Sequence, residues 1–249
     1  MQVKDLKIKF ILSFALFYGV APVKRGTIYV VTYMITPLAE LFLIYVVTRG
    51  ALIGYAIMGG LVAIVAGNGI SFLADFAFLR LETKIQDLLV ATEVTPTEYI
   101  LGLMLSNLIF SIPGIALYIV LAVLYRLVNI LNILPIVLVL VLLLLTTSSI
   151  GFLIGSFIPH IRYSWGLGSI LSILLTVLPP VFYPYFLIPK TAFYAIFPIP
   201  TTLGAMILQD LTGLIHLSSN VLYGSIALLI VETVIFYYLS RRFSRWVSA

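Results

Sequence analysis

Five stretches of this chain run without a single Asp, Glu, Lys or Arg: 50–74, 99–125, 127–161, 163–189 and 211–231. A sixth, 26–48, joins them if one acid, Glu40, is tolerated. A helix needs roughly 20 mostly apolar residues to cross a hydrocarbon core about 30 Å thick, so each stretch is long enough to span. In water, helices built from such runs would lack the polar face that meets solvent. Composition agrees. Of 249 residues, 62% are hydrophobic and 9% charged, whereas an ordinary globular domain carries about 25% charged residues. The same balance excludes a disordered chain, which needs low hydrophobicity and high charge. The expectation is an all-α, polytopic membrane protein with helices at about 27–48, 52–78, 99–124, 135–158, 164–184 and 218–240.

Two further apolar pieces need separate treatment. Residues 10–21 would reach only about 18 Å as a helix, too short to cross. They lie between Lys4, Lys7 and Lys9 on one side and Lys24 and Arg25 on the other. This favours an amphipathic helix, 1–25, lying in the cytoplasmic interface. A basic start, an apolar middle and the ending Gly19-Val20-Ala21 also fit a signal peptide, although Lys24 and Arg25 would resist export. The other piece, 191–209, is interrupted by Pro198 and Pro200. Six of the twelve prolines (179, 180, 184, 189, 198 and 200) fall close together. Proline removes a backbone donor and clashes with the preceding turn, so an outer re-entrant segment over 185–213 is expected instead of a seventh span. Such backbone is tolerated at membrane depth only where protein or a wet cavity covers it.

Charge placement tests that count. With the amino terminus inside and six crossings, Lys4, Lys7, Lys9, Lys24, Arg25, Arg80, Lys84, Arg162, Arg241, Arg242 and Arg245 are cytoplasmic. Arg49, Arg126 and Lys190 are outside. This is a strong positive-inside bias, and a seventh crossing would spoil it. The net charge of +5 therefore reads as topology at a lipid bilayer, not as an affinity for nucleic acid. The expected location is a cell membrane, multi-pass, with both termini cytoplasmic. Cys is absent and His160 and His216 stand far apart, so thiolate chemistry is excluded and a histidine metal site has almost no support.

The polar stretch 80–98, RLETKIQDLLVATEVTPTE, joins the second and third spans. Leu81, Ile85, Leu88 and Leu89 recur at helical spacing, which predicts one apolar face opposite Glu82, Lys84 and Asp87. Thr95-Pro96 then stops that helix, and Thr97 is placed to cap the next. Read by itself, this is either a surface helix joining two spans or a docking element for a soluble partner. Glu40 and Glu232 fall inside spans, where an acid usually faces protein or water. Each is either part of a translocation path or a hydrogen-bonded lock between helices. Asp75 is expected near the inner interface. Small residues repeat at Ala56/Gly60, Gly59/Ala63/Gly67 and Gly151/Gly155, spacing that suits close helix packing inside the subunit or a dimer seam. The aromatics Phe182, Tyr183, Tyr185, Phe186, Phe193, Tyr194 and Phe197 suit the outer headgroup level.

The run Arg80-x-Glu82, then Gln86-Asp87-Leu88-Leu89-Val90-Ala91-Thr92 and Val94-Thr95-Pro96-Thr97-Glu98-Tyr99-Ile100-Leu101-Gly102, resembles the cytoplasmic signature of ABC-2 type permeases. These are the membrane subunits of ATP-binding-cassette exporters of the daunorubicin-exporter and polysaccharide-exporter kind. The proline pair, aromatics, Ile188-Pro189 and Phe197-Pro198-Ile199-Pro200 within 179–211 resemble that family's outer re-entrant segment. The chain departs from the pattern at Glu93, where the family carries proline. The resemblance covers nearly the whole chain and implies a six-helix domain over 26–249. It also implies that Arg80, Glu82, Lys84, Ile85, Asp87, Leu88 and Leu89 couple to a separate ATPase subunit, with Glu82 and Asp87 facing it. A second permease copy or a paralogue would complete the pathway.

No Gly is followed by Lys anywhere, so the usual phosphate-cradling loop is missing from the sequence. The chain is therefore expected to bind no cofactor and perform no covalent chemistry, with ATP and Mg held by the partner. Two other classes compete. An ion-coupled secondary transporter would often show paired broken helices near the midplane, and here a single proline-broken region is evident. An intramembrane enzyme could draw on Ser148 or Ser149, but neither His lies in a clear inward-facing motif.

Overall fold

The computed structural model describes residues 3–92 and 94–243, so Glu93 and Arg245 fall outside the described residues. Every regular element among them is helical: α1 (Val3–Arg25), α2 (Thr27–Thr48), α3 (Ile53–Leu81), α4 (Ile85–Val90), α5 (Pro96–Leu124), α6 (Ile133–Phe157), α7 (Ile161–Thr176), α8 (Lys190–Ile196), α9 (Pro200–Leu211) and α10 (Ser219–Arg242). A single 3-10 turn, Tyr185–Leu187, precedes α8. Four helices, α3, α5, α6 and α10, are long and apolar enough to cross a membrane. The pair α8 and α9, bent by 110° at its break, makes a fifth if counted as one span.

α3 is the axis of the bundle and packs on α2, α5, α6, α7 and α9. Small residues make this close approach possible. Tyr118 of α5 lies across Gly60, and Thr147 of α6 lies across Gly69, each in space that a Cβ would fill. On the facing helix, a Cβ at Gly151 would stand 3.0 Å from the Gly69 carbonyl, and one at Gly155 would stand 3.1 Å from the Leu73 carbonyl. These glycines therefore serve packing within the chain, where van der Waals contact between backbones replaces the hydrophobic drive that lipid removes. Gly69→Val should force α3 and α6 apart and cost about 3 kcal/mol, as overpacking a tight contact does. Denaturant unfolding in detergent checks it; a cost near zero would mean that α6 adjusts freely.

Polar side chains pin the same bundle. Asn68 Nδ2 donates to Ser111 Oγ (2.6 Å), Asn107 Nδ2 donates to the Asn68 carbonyl (2.7 Å), and Ser111 Oγ donates to the Asn107 carbonyl (2.8 Å). Thr146 and Thr233 link α6 to α10 at 2.7 Å. α3, α6 and α10 run one way and α5 and α7 the other, so Arg80, Arg162, Arg241 and Arg242 gather at one end, called here the basic end; the Phe157–Phe243 ring contact and the Arg80 bonds to α6 fix this. At that end an aromatic cluster of Phe72, Phe76, Tyr99 and Phe152 forms the core, with Phe14, Tyr18 and Tyr237 packed on it.

α1 is longer than the apolar piece at 10–21 and packs lengthwise on α5. Lys7 meets Glu98, Phe14 meets Tyr99, and Gly19 faces Ser106 and Ile109, so the two helices advance together. The expected helix 164–184 is shorter than predicted, ending at Thr176. Pro179 and Pro180 lack the N–H that would continue it, and the residue before a proline is pushed out of the helical region.

Candidate functional site

The connection from α3 to α5 is held at both ends and exposed in the middle. At its start, Arg80 lies half-buried on the last turn of α3. Its Nη1 and Nη2 donate to the carbonyls of Ser156 and Ile158, where α6 ends. A cation at a helix C-terminus satisfies orphan carbonyls and meets the negative end of the helix dipole. The guanidinium also stands 5.8 Å from the Phe76 ring centre. The sequence reading placed Arg80 in the coupling surface; the structure gives it an internal job, joining α3 to α6.

α3 closes when the amides of Glu82 and Thr83 both donate to the Phe78 carbonyl. Lys84 then takes a left-handed conformation (φ 52°), and α4 starts afresh. This corrects the expectation of one continuous amphipathic helix. Leu81 belongs to α3 and packs near Leu73, Ala77 and Ile158, while Ile85 and Leu89 turn into the aromatic cluster. Leu88 is 67% exposed. It shares the outer side of α4 with Asp87, and Glu82 and Lys84 are exposed just before it. Gln86, which the sequence reading did not single out, is buried.

The end of the segment is tied down by a capping box. Thr95, not Thr97, is the N-cap: the Glu98 amide donates to Thr95 Oγ1 (3.4 Å), and the Thr95 amide donates to Glu98 Oε2 (2.8 Å). Pro96 begins α5 at the position where its missing donor costs nothing. The other Glu98 oxygen lies 3.1 Å from Lys7 Nζ, so one carboxylate joins α1, the connection and α5. The pattern Thr95-x-x-Glu98 carried this signal in the sequence.

The other singled-out acids are not brought into this site. Glu40 on α2 and Glu232 on α10 are half-buried, and one carboxylate oxygen of each is buried without a hydrogen-bond partner among the described residues. Asp75 is exposed on a stripe of α3 formed with Phe78 and Glu82, although that helix is otherwise mostly buried. Ser148 and Ser149 are fully buried, the latter donating to the Leu145 carbonyl.

A second structured region lies at the far end, where the chain between α7 and α8 is unwound. Gln209 of α9 is fully buried, and its Nε2 faces the carbonyls of Pro180 (3.2 Å), Tyr183 (3.4 Å) and Val181 (3.5 Å). The Val181 carbonyl also presses on α3, where a Cβ at Gly59 would stand 2.5 Å away. Of the expected boundary aromatics, Phe182 is buried and Phe186 and Tyr194 are exposed. Phe193 packs between Tyr185, tilted at 5.3 Å, and Phe197, edge-on at 5.6 Å. Sequence reasoning missed Gln209 because an isolated glutamine in an apolar stretch gives no spacing signal. No protein-family model matches the chain, and no curated protein matches it.

Proposed function

We propose that this chain is the membrane-spanning permease subunit of an ATP-driven exporter of the ABC-2 type, coupled through α4 to a separate ATPase subunit. The reading takes the four long apolar helices, α2, and α7 with its unwound continuation as six crossings. The basic end is cytoplasmic, α1 enters at that boundary, and the α8–α9 bend is the outer re-entrant segment. One observation carries it most. A six-residue helix projects Asp87 and Leu88 at the basic end while Arg80 and Glu98 anchor its flanks to α6, α5 and α1.

An element fixed this way moves only if its neighbours move. Closure of the ATPase subunits against α4 would therefore tilt α3 and α5 together. A push at Leu88 is transmitted through Ile85 and Leu89 into the aromatic cluster, and through Arg80 into α6. The route for cargo lies between this chain and a second permease copy or paralogue. ATP and Mg stay on the motor subunit, and this chain performs no covalent chemistry.

The sequence contains no cysteine, so a single introduced thiol reports without background. Leu88→Cys should cross-link to an ATP-binding polypeptide in native membranes, and should resist a membrane-impermeant maleimide added to intact cells. Labelling from outside would reverse the orientation and end the proposal. The second reading, ion-coupled transport, rests on the unpartnered oxygens of Glu40 and Glu232. It requires cargo flux driven by a proton gradient without ATP.

A further inference from the structure

A cavity of about 560 Å³ opens at the basic end, between the last turn of α3 and the loop that leads from α6 into α7. That is the size of a small-ligand site. Its walls carry Glu82 on one side and His160 and Arg162 on the other, with Tyr163 and Ile161 beside them. Among the described residues neither the Glu82 nor the Arg162 side chain has a hydrogen-bond or ion-pair partner. The nearby guanidinium of Arg80 is committed to the α6 carbonyls. An acid and a guanidinium thus line one cavity without meeting, each exposed on a separate element.

We propose that this cavity binds the headgroup of a phospholipid bearing both a phosphodiester and a primary ammonium, the phosphoethanolamine type. Opposite charges lining one cavity complement a zwitterion whose two charged groups are joined by a short linker. The phosphodiester lies against Arg162 and the His160 imidazole, where α7 also starts without a side-chain cap. The ammonium donates hydrogen bonds to Glu82. A phosphatidylglycerol headgroup offers Glu82 neutral hydroxyls but no cation, and a choline headgroup has no N–H to offer it. The lipid source is favoured by the surroundings: Tyr163 in the cavity wall is 59% exposed and Trp165, two residues further along α7, is 56% exposed, and amphipathic rings gather at the level of headgroups. Basic pockets between helices take anionic headgroups; the Glu82 carboxylate beside Arg162 is what turns this one towards a zwitterion. The assignment rests on the membrane reading of the chain, and Glu82 is shared with the surface that the proposed ATPase subunit would meet, so the test uses the chain without that subunit.

Native mass spectrometry of the full chain tests it, in micelles containing equal amounts of phosphatidylethanolamine, phosphatidylcholine and phosphatidylglycerol with identical acyl chains. Retention of phosphatidylethanolamine should exceed the other two by about tenfold, the value of a charge-assisted hydrogen bond. Glu82→Gln should erase that preference while leaving general lipid binding. Arg162→Gln should weaken all three lipids, and Arg162→Lys should restore most of the loss and show that the fold survives. Equal retention of the three lipids by the unmodified chain overturns the proposal, as does a preference unchanged in Glu82→Gln. Displacement by soluble phosphoethanolamine at matching concentration would also overturn it, by assigning the cavity to a free zwitterion. Flotation with liposomes separates the two failures: a chain that does not insert refutes the membrane reading, whereas one that inserts without lipid preference refutes this site alone.

Discussion

Arg80→Ala should destabilise the protein by about 2–4 kcal/mol, the worth of two hydrogen bonds from a charged donor less what water at the basic end can replace. The carbonyls of Ser156 and Ile158 lose their shared partner, and the negative end of α6 loses its cation. The contact with the Phe76 ring goes as well, worth about 0.5–1 kcal/mol at a partly exposed site. Arg80→Lys should recover less than half, because a point charge cannot reproduce a planar fork reaching two acceptors. Equilibrium unfolding in detergent measures both variants. A cost for Arg80→Ala below about 0.5 kcal/mol, the range of an ordinary surface change, would show that the α3–α6 tie is decorative. In native membranes the same variant should also weaken coupling, since the push on α4 would no longer reach α6.

The second large effect belongs at the opposite end. Gln209→Leu keeps nearly the same volume but removes the side-chain donor that, among the described residues, faces the carbonyls of Pro180, Val181 and Tyr183. Orphaned buried acceptors cost about 1–3 kcal/mol each, and here the backbone can relax, so about 2–4 kcal/mol in total is expected. The loss should be local. A thiol placed at Tyr183 in the cysteine-free chain should react with maleimide at least about tenfold faster in Gln209→Leu, matching a shift of about 1.4 kcal/mol in the opening equilibrium. An unchanged rate would mean that packing on Gly59 and α9 holds the unwound segment without the amide.

These two residues show where sequence reading runs out. The long apolar helices were legible because each fills an unbroken apolar run, and α2, α3, α5, α6 and α10 fall where hydropathy placed them. α7 did not, since an apolar run continues past Thr176 while the proline pair ends the helix. Hydropathy measures length in the chain and is blind to the missing backbone donor. In the 80–98 segment, periodicity linked Leu81 with Ile85, Leu88 and Leu89 as if the helix were continuous. The left-handed turn at Lys84 breaks that register, and no residue type at 84 advertises it.

The residues that the resemblance assigns to coupling divide in the same way. Glu82, Lys84, Asp87 and Leu88 are exposed where the family resemblance asks for a docking surface, and Ile85 and Leu89 face inward beneath them. Arg80 could have been read as exposed or as an anchor, and the choice depends on α6, whose end lies 76 residues away in sequence. Glu98 was legible in principle through its capping pattern; its bond to Lys7 was not, because it needs the packing of α1 on α5. Glu40 and Glu232 were recognisable as acids in apolar helices, and each keeps one buried oxygen unsatisfied among the described residues. Their surroundings follow from helix rotation, which hydropathy alone leaves open.

The most direct measurement purifies the tagged full chain from its native membrane and assays the eluate for vanadate-sensitive ATP hydrolysis, beside a Leu88→Asp variant that folds and inserts normally. The account predicts ATP hydrolysis carried by a separate co-purifying subunit, and its loss from the variant as the subunit detaches. Cargo movement by the isolated chain without ATP, or equal ATPase recovery with Leu88→Asp, would contradict it.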